Sequence, residues 1–198
     1  MFLNQISINE IKKMTICKNC VMDNSNDLNI HFNSDGVCNY CVDFLKKRRN
    51  FVFNKEQSSK NLDRIKSKVL KLKDGDYDLI TGISGGVDSS YLLHLIKEMN
   101  LNPLVVHFDN GWNSDLAVTN IKNLLDKTGF DFITEVIDWE EFKSLQRSFI
   151  KSGVIDVEML TDHAIGATLI KIAKEKNIKF VLSGENFSTE NGMPSTWT

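Results

Sequence analysis

Two groups of residues in this 198-residue chain have the types and the spacing to do chemistry. The first is Ser84-Gly85-Gly86-Val87-Asp88-Ser89. It stands between an apolar run, Leu79-Ile80-Thr81-Gly82-Ile83, and a segment carrying Leu92, Leu93, Leu95 and Ile96. Adjacent glycines let a backbone take dihedrals closed to other residues and approach an anion closely. A helix that starts just after them aims unpaired N–H groups, and the positive end of its dipole, into the turn. Ser84, Ser89 and Ser90 add hydroxyl donors. The chemistry served by such a turn is the holding of phosphate. Two common phosphate loops are excluded. A Walker A loop needs a lysine just before the helix, where this chain has Asp88 and Ser89. The dinucleotide fingerprint G-x-G-x-x-G is not met by Gly82, Gly85 and Gly86.

The second group is Cys17-Lys18-Asn19-Cys20 and Cys38-Asn39-Tyr40-Cys41, which holds all four cysteines in two pairs seventeen residues apart. Two C-x2-C pairs at this separation are a tetrahedral zinc pattern, each pair placing two thiolates on a tight knuckle. Two disulfides are the alternative, but nothing in the sequence points to an oxidising compartment. A closed four-thiolate site is normally structural, so zinc on Cys17, Cys20, Cys38 and Cys41 is expected to organise an N-terminal module. His31, within the spacer, is expected on the surface.

The elements that must position these groups follow from the hydrophobic pattern. From Tyr77 onward, short apolar runs alternate with helical stretches: Leu104–Phe108, Phe130–Ile137 and Lys179–Ser183 read as further strands. Inward stripes are expected from Val118, Ile121, Leu124 and Leu125, from Phe142, Leu145 and Phe149, and from Ala164, Ala167, Ile170 and Ala173. This alternation predicts an α/β fold with a doubly wound, Rossmann-like parallel sheet. Ligands of such sheets sit beyond the carboxyl ends of the strands. That rule brings together residues 84–89, 109–112 and 183–186. Asp109 then faces a ribose hydroxyl, an adenine amino group or magnesium, or simply closes a strand-end turn. Glu185 and Asn186, on a second glycine turn at Gly184, are stronger site candidates. Asp162-His163 either points into the same cleft or caps its helix. His94 and His107 lie on apolar elements and read as packing residues.

The expected organisation is an extension over residues 1–13, a zinc-ribbon-like module over 14–45, a basic helical connector over 46–76 and an α/β domain over 77–198. The connector opens with Lys46-Lys47-Arg48-Arg49, and Leu62, Ile65, Val69 and Leu72 recur in it at helical spacing, with Ser58 or Ser59 as cap. Formal net charge is −2, which gives no global pull toward nucleic acid. No apolar run approaches the ~20 residues of a membrane span, and the first residues lack a signal peptide's apolar core. A cytoplasmic protein is expected.

Residues 84–89 resemble the SGGxDS signature of the PP-loop ATP pyrophosphatases. More of the chain is similar to one branch of them, the N-acetyl sugar amidotransferases. The similarity runs through Thr15–Asp23 with the second cysteine pair, Gly82–Tyr91, His107–Asn113, Thr161–Ala164, Leu182–Asn186, and Met193-Pro194 with Trp197. The resemblance implies an enzyme that uses ATP and magnesium to turn a sugar N-acetyl group into an acetamidino group, for O-antigen or flagellar nonulosonic acid sugars. It implies Gly82, Ser84, Gly85, Gly86, Val87, Asp88, Ser89, Asp109, Gly184, Glu185 and Asn186 as nucleotide contacts, with Ser84, Asp88 and Ser89 catalytic. It also implies a separate glutaminase like that of histidine biosynthesis, with a cyclase-like companion. Members of that family run well beyond this length, so a C-terminally incomplete chain is expected.

The residues fit such chemistry independently. An amide carbonyl is a poor electrophile until its oxygen carries a leaving group such as AMP, and the loop donors can neutralise departing pyrophosphate. The zinc pattern takes every cysteine, so a glutaminase nucleophile must lie elsewhere. The rival is a tRNA thiolase, which also joins a zinc module to a PP-loop. Thiolation usually needs cysteines near the nucleotide, and none follows Cys41. A nucleotide-binding scaffold without activity is the third reading.

Overall fold

The structure, a computed structural model, describes residues 14–190 other than Asn26 and Leu28. The expected extension over 1–13 and the Met193, Pro194 and Trp197 matches lie outside the described residues. The chain divides into two compact units. Among the described residues, one comprises 14–53 with 187–190, the other 54–186.

The first unit is built on the cysteines. Isolated antiparallel bridges join Ile16 to Asp23 and Phe32 to Cys38. Helix α1, Asn39–Phe51, starts at the second knuckle, where Cys38 Sγ accepts from the Cys41 N–H as N-cap. Cys17, Cys38 and Cys41 are buried with Met22, Ile30, Phe32, Val37 and Tyr40 around them. Lys46-Lys47-Arg48-Arg49 lies inside α1 and not in a connector, with Arg48 and Arg49 in the last turn where cations suit the helix dipole.

In the second unit, helix α2 spans Lys55–Leu72. Its cap is Asn54, in a reciprocal capping box with Gln57, and not the expected Ser58 or Ser59, which fall within the first turn. Strand β1 is Leu79–Gly82, followed by helix α3, Val87–Glu98. Strand β2 is Pro103–Asp109, helix α4 Asp115–Thr128, and strand β3 Asp131–Val136. Helices α5, Trp139–Lys151, and α6, Met159–Glu175, precede the short strand β4, Val181–Leu182. Helix α7, Phe187–Glu190, belongs to the first unit, where the Phe187 ring stacks on Phe51 at 4.6 Å and Phe44 at 5.3 Å.

The four described strands run parallel in the order β3-β2-β1-β4. The chain moves outward from β1 through β3, then returns to the other side of β1, so the direction of winding switches between β1 and β4. Alternation along the strands divides the core. Leu79, Ile83 and Val105 pack with Val69, Leu93, Ile96 and Ile121 of the α2, α3 and α4 layer. Ile80, Leu104 and Val106 pack on the opposite face with Leu169, Ile172 and Ala173 of α6. Each fully buried Leu or Ile in these layers contributes about 1.5–3 kcal/mol.

Some predicted inward positions are not buried. Val118, Leu145, Ile170 and Leu72 are exposed, as is Ala167, because α6 turns Thr161, Leu169, Ile172 and Ala173 to the sheet. His94 is also exposed, beside Tyr91. At the far end of β1 from the turn, the buried Asp78 carboxylate pairs with Lys73 at 2.8 Å and accepts from the Asn102 N–H at 2.7 Å. No helix among the described residues is long and apolar enough to cross a membrane.

Candidate active site

The turn between β1 and α3 is shaped by its own serines and by contacts from α4; the Gly86 N–H donates to Ser84 Oγ at 3.4 Å. Gly85 has φ +77°, and a Cβ there would lie 2.4 Å from the Ala117 carbonyl oxygen, so only glycine fits. Asn120 Nδ2 donates to the Gly85 carbonyl at 3.0 Å, which ties the turn to α4. Ser84 and Ser89 face each other, Oγ to Oγ at 3.1 Å, and the Ser84 N–H donates to Ser89 Oγ at 3.2 Å. Ser90 Oγ donates to the Gly86 carbonyl at 2.5 Å. Helix α3 begins at Gly86 without a side-chain cap, so its first-turn N–H groups need an acceptor from elsewhere.

A cavity of about 270 Å³ opens beside this turn, at the switch point. Gly82, Ile83, Ser84 and Ser89 form one wall, Leu182, Ser183 and Gly184 another. The third comes from β2 and its following loop, with His107, Asn110 and Asn113, and the floor from Thr161, Ile165, Thr168 and Leu169 of α6. The volume falls at the lower edge of ordinary ligand pockets, ~300–1,000 Å³, so it suits a base or sugar with phosphates lying outside on the turn. Gly184 approaches the start of α3 closely; a Cβ there would sit 3.3 Å from the Asp88 carbonyl and Ser89 Cα. Asn186 Nδ2 donates to Asp88 Oδ1 at 3.3 Å, which links the second glycine turn to the first.

Several expected residues sit differently. Val87 is 83% exposed and lines the outer side of the turn, in a groove with Tyr91 and Lys127, not the cavity. Asp109 is a loop builder: its Oδ1 accepts from the Gly111 N–H at 2.9 Å and from Asn113 Nδ2 at 2.8 Å. Its neighbours Asn110 and Asn113 form the wall instead. Glu185 is exposed and outside the lining. Gly82 lines the cavity, yet a Cβ there would meet Leu169 only at an ordinary 3.8 Å. His163 bonds back to the Met159 carbonyl at 2.8 Å on its own helix. Asp162 is exposed, its carboxyl pushed up by desolvation and then by Asp156 and Glu158, while Thr161 faces the cavity. His107 is buried, with Nδ1 2.9 Å from the Ile83 carbonyl. Asn110, Asn113 and Thr161 lie within the quoted segments but are not site candidates in the sequence reading, which gives His107 to packing; the signal that could have found them is position just beyond or along a strand next to the turn.

In the first unit, the four sulfurs lie within 4.8 Å of one another. Cys17 and Cys41 are 3.9 Å apart, Cys20 and Cys38 3.7 Å. A tetrahedral ion with Zn–S bonds of ~2.3 Å puts its sulfurs about 3.8 Å apart, so the donor set fits zinc. The sulfurs are not bonded as disulfides. The knuckle amides shape the charges. Burial pushes the Cys17 thiol up, but N–H donors of Cys38, Asn19 and Cys20 together outweigh it and bring it down to about 6. Burial and the crowding sulfurs push Cys20 up to about 12, and burial also raises Cys38.

Comparison with known proteins covers about two thirds or more of the chain. NMN synthetase from Francisella tularensis superposes with a TM-score of 0.51 at 16% identity, covering 68% of this chain and 56% of that one. Ammonia-dependent NAD synthetase from Campylobacter jejuni gives 0.50 at 19%, covering 66% and 56%. The chain shares the α/β fold of these two synthetases. Among curated sequences, an uncharacterised protein of Methanocaldococcus jannaschii is 28% identical over 169 residues, 85% of this chain and 58% of that protein. A tRNA-specific 2-thiouridylase from Ruthia magnifica is 28% identical over 186 residues, 81% of this chain and 49% of that protein. The chain thus spans half to three fifths of the length of these curated relatives. No family model matches the chain.

Proposed function

We propose that this chain is the ATP-binding part of an amidotransferase that converts the N-acetyl group of a sugar, or sugar nucleotide, to an acetamidino group. The observation that carries the ATP reading is the turn at residues 84–89: an uncapped helix start, two facing serines and an obligatory glycine beside a cavity at the switch point. The sugar reading rests on the motifs quoted above.

In this reading the base and ribose occupy the cavity and the phosphates lie on the turn. The acetamido oxygen attacks the α-phosphorus, and the bond to the bridging oxygen of pyrophosphate breaks. Ammonia then adds to the imidate carbon and AMP departs, leaving the amidine. The α3 amides and the Ser84 and Ser89 hydroxyls hold the charge that develops on pyrophosphate. A magnesium ion would add positive charge there, with Asp88 the carboxylate on the turn itself. Asn186 orients Asp88. Ammonia would come from a separate glutaminase subunit, as the family resemblance implies; the four cysteines cluster in the first unit, where their geometry fits a structural zinc.

The thiouridylase relative favours a second reading, a tRNA-modifying enzyme. The two are separated by giving the full-length enzyme ATP and ammonium with an acetamido sugar nucleotide, or with tRNA. AMP and pyrophosphate formed only with the sugar, and an acetamidino product by mass spectrometry, are expected. ADP as product overturns the PP-loop mechanism, and turnover with tRNA moves the assignment to the second reading. Ser84→Ala is expected to lower kcat about tenfold or more with little change in KM, because the lost donor serves charge formed in the transition state.

A further inference from the structure

An indole left in water is normally either mobile or part of an interface. Trp112 is 66% exposed, yet it is fixed at three points. Its Nε1–H donates to Gln146 Oε1 at 2.9 Å, its backbone N–H donates to Asn110 Oδ1 at 3.1 Å, and its ring meets Trp139 edge-on at 5.8 Å and 70°. The loop beneath it is equally determined. Gly111 has φ +81° and lies so close to the Trp139 ring that a Cβ would come within 2.9 Å of Cε3. Asp109 ties the Gly111 N–H to the Asn113 side chain. None of these contacts buries the indole face, so they add orientation rather than core.

The place is as specific as the posture. The loop leaves the carboxyl end of β2, where open parallel sheets take their ligands. The residues two before and one after Trp112, Asn110 and Asn113, wall the cavity beside Ser84 and Ser89. Two amides accompany the ring: Gln146, whose Oε1 accepts from the indole N–H, and Asn113, the next residue along the chain. A rigid aromatic face edged by amides suits a pyranose, whose C–H face lies on the ring while its hydroxyls meet the rim. The charge nearby disfavours a polyanion. Asp109, Asp115, Asp138, Glu140 and Glu141 lie within three residues of one tryptophan or the other, against Lys143, which pairs with Glu140, and Arg147.

We infer that Trp112, braced by Trp139 and Gln146, is the platform on which the acceptor's acetamido sugar ring stacks at the mouth of the nucleotide cavity. This rests on the sugar reading above.

Saturation-transfer NMR of the full chain with UDP-N-acetylglucosamine and α,β-methylene ATP tests it, because sugar and uracil protons are read separately. Transfer to the sugar ring protons is expected in the wild type, falling roughly fivefold or more in Trp112→Ala and largely kept in Trp112→Phe. Affinity for α,β-methylene ATP, equal in all three, reports that the turn is intact. Sugar transfer unchanged in Trp112→Ala overturns the platform and leaves the sugar reading standing. Loss at the uracil protons instead assigns the ring to a base and overturns the platform as stated. No sugar transfer in the wild type overturns both.

Discussion

Gly85 and Gly82 look alike in sequence, glycines three residues apart, but the structure separates them. Gly85 combines φ +77° with a neighbouring carbonyl 2.4 Å from where a Cβ would be. Gly85→Ala must therefore move α4 or abandon the turn, at a cost of about 2 kcal/mol or more. ATP affinity by calorimetry is expected to fall at least tenfold, and Tm with it. Gly82→Ala, whose Cβ would find Leu169 at 3.8 Å, is expected to leave ATP affinity within about twofold. Equal effects would mean that the close approach of Ala117 does not govern the turn. Asp109 was equally ambiguous in sequence. Its Oδ1 holds the loop together, so Asp109→Ala is expected to loosen the loop that carries Trp112.

Elements are fastened at the end of the sheet away from the site. Asp78 opens β1 with its side chain 6% exposed, and its Oδ1 is met by the Lys73 ammonium alone. Lys73 ends the helical segment before β1 and is 38% exposed. Removing one partner of a buried ion pair costs ~3–5 kcal/mol; with Lys73 partly solvated, Lys73→Met is expected to cost about 2–3 kcal/mol by denaturant unfolding. ATP affinity is expected to hold, since the pair lies at the opposite end of β1. A loss of binding without a loss of stability would contradict this division. Elements also account for errors in the predicted inward faces. Periodicity in α6 is satisfied equally by a stripe through Ile170 and one through Leu169 and Ile172; the sheet selects the second. In α2 the reciprocal bond with Gln57 selects Asn54 over the serines as cap.

At the scale of the whole molecule, the first unit has a core made largely of cysteines, so its stability should be the metal's binding energy. Chelation of zinc is expected to unfold residues 14–53 while the second unit still melts cooperatively and still binds ATP. Exchange of deuterium into the amides of each unit reads this directly. Zinc uptake is also expected to release protons. At neutral pH Cys20 and Cys38, both pushed up, hold theirs without metal, whereas Cys17, near 6, is already a thiolate. At least two protons per zinc, those of Cys20 and Cys38, are therefore expected in weakly buffered solution at pH 7–8, and affinity should fall as the pH is lowered. Proton release near zero would refute the thiol assignment.

What the sequence determined by itself is what depends on local spacing. Each C-x2-C pair makes its own knuckle, and a strand, Ser84-Gly85-Gly86 and a helix make a tight strand-to-helix turn, from neighbouring residues alone. The alternation of strands and helices gave the parallel sheet for the same reason. Tertiary structure decided everything that needs two distant segments. It replaced Asp109 by Asn110 and Asn113 on the cavity wall, turned Thr161 inward in place of Asp162 and His163, and set Val87 on the outer side of the turn. It also brought Gln146 and Trp139 against Trp112. These outcomes depend on which strand edge and helix face are adjacent in space, and a one-dimensional period leaves that degenerate until the sheet packs.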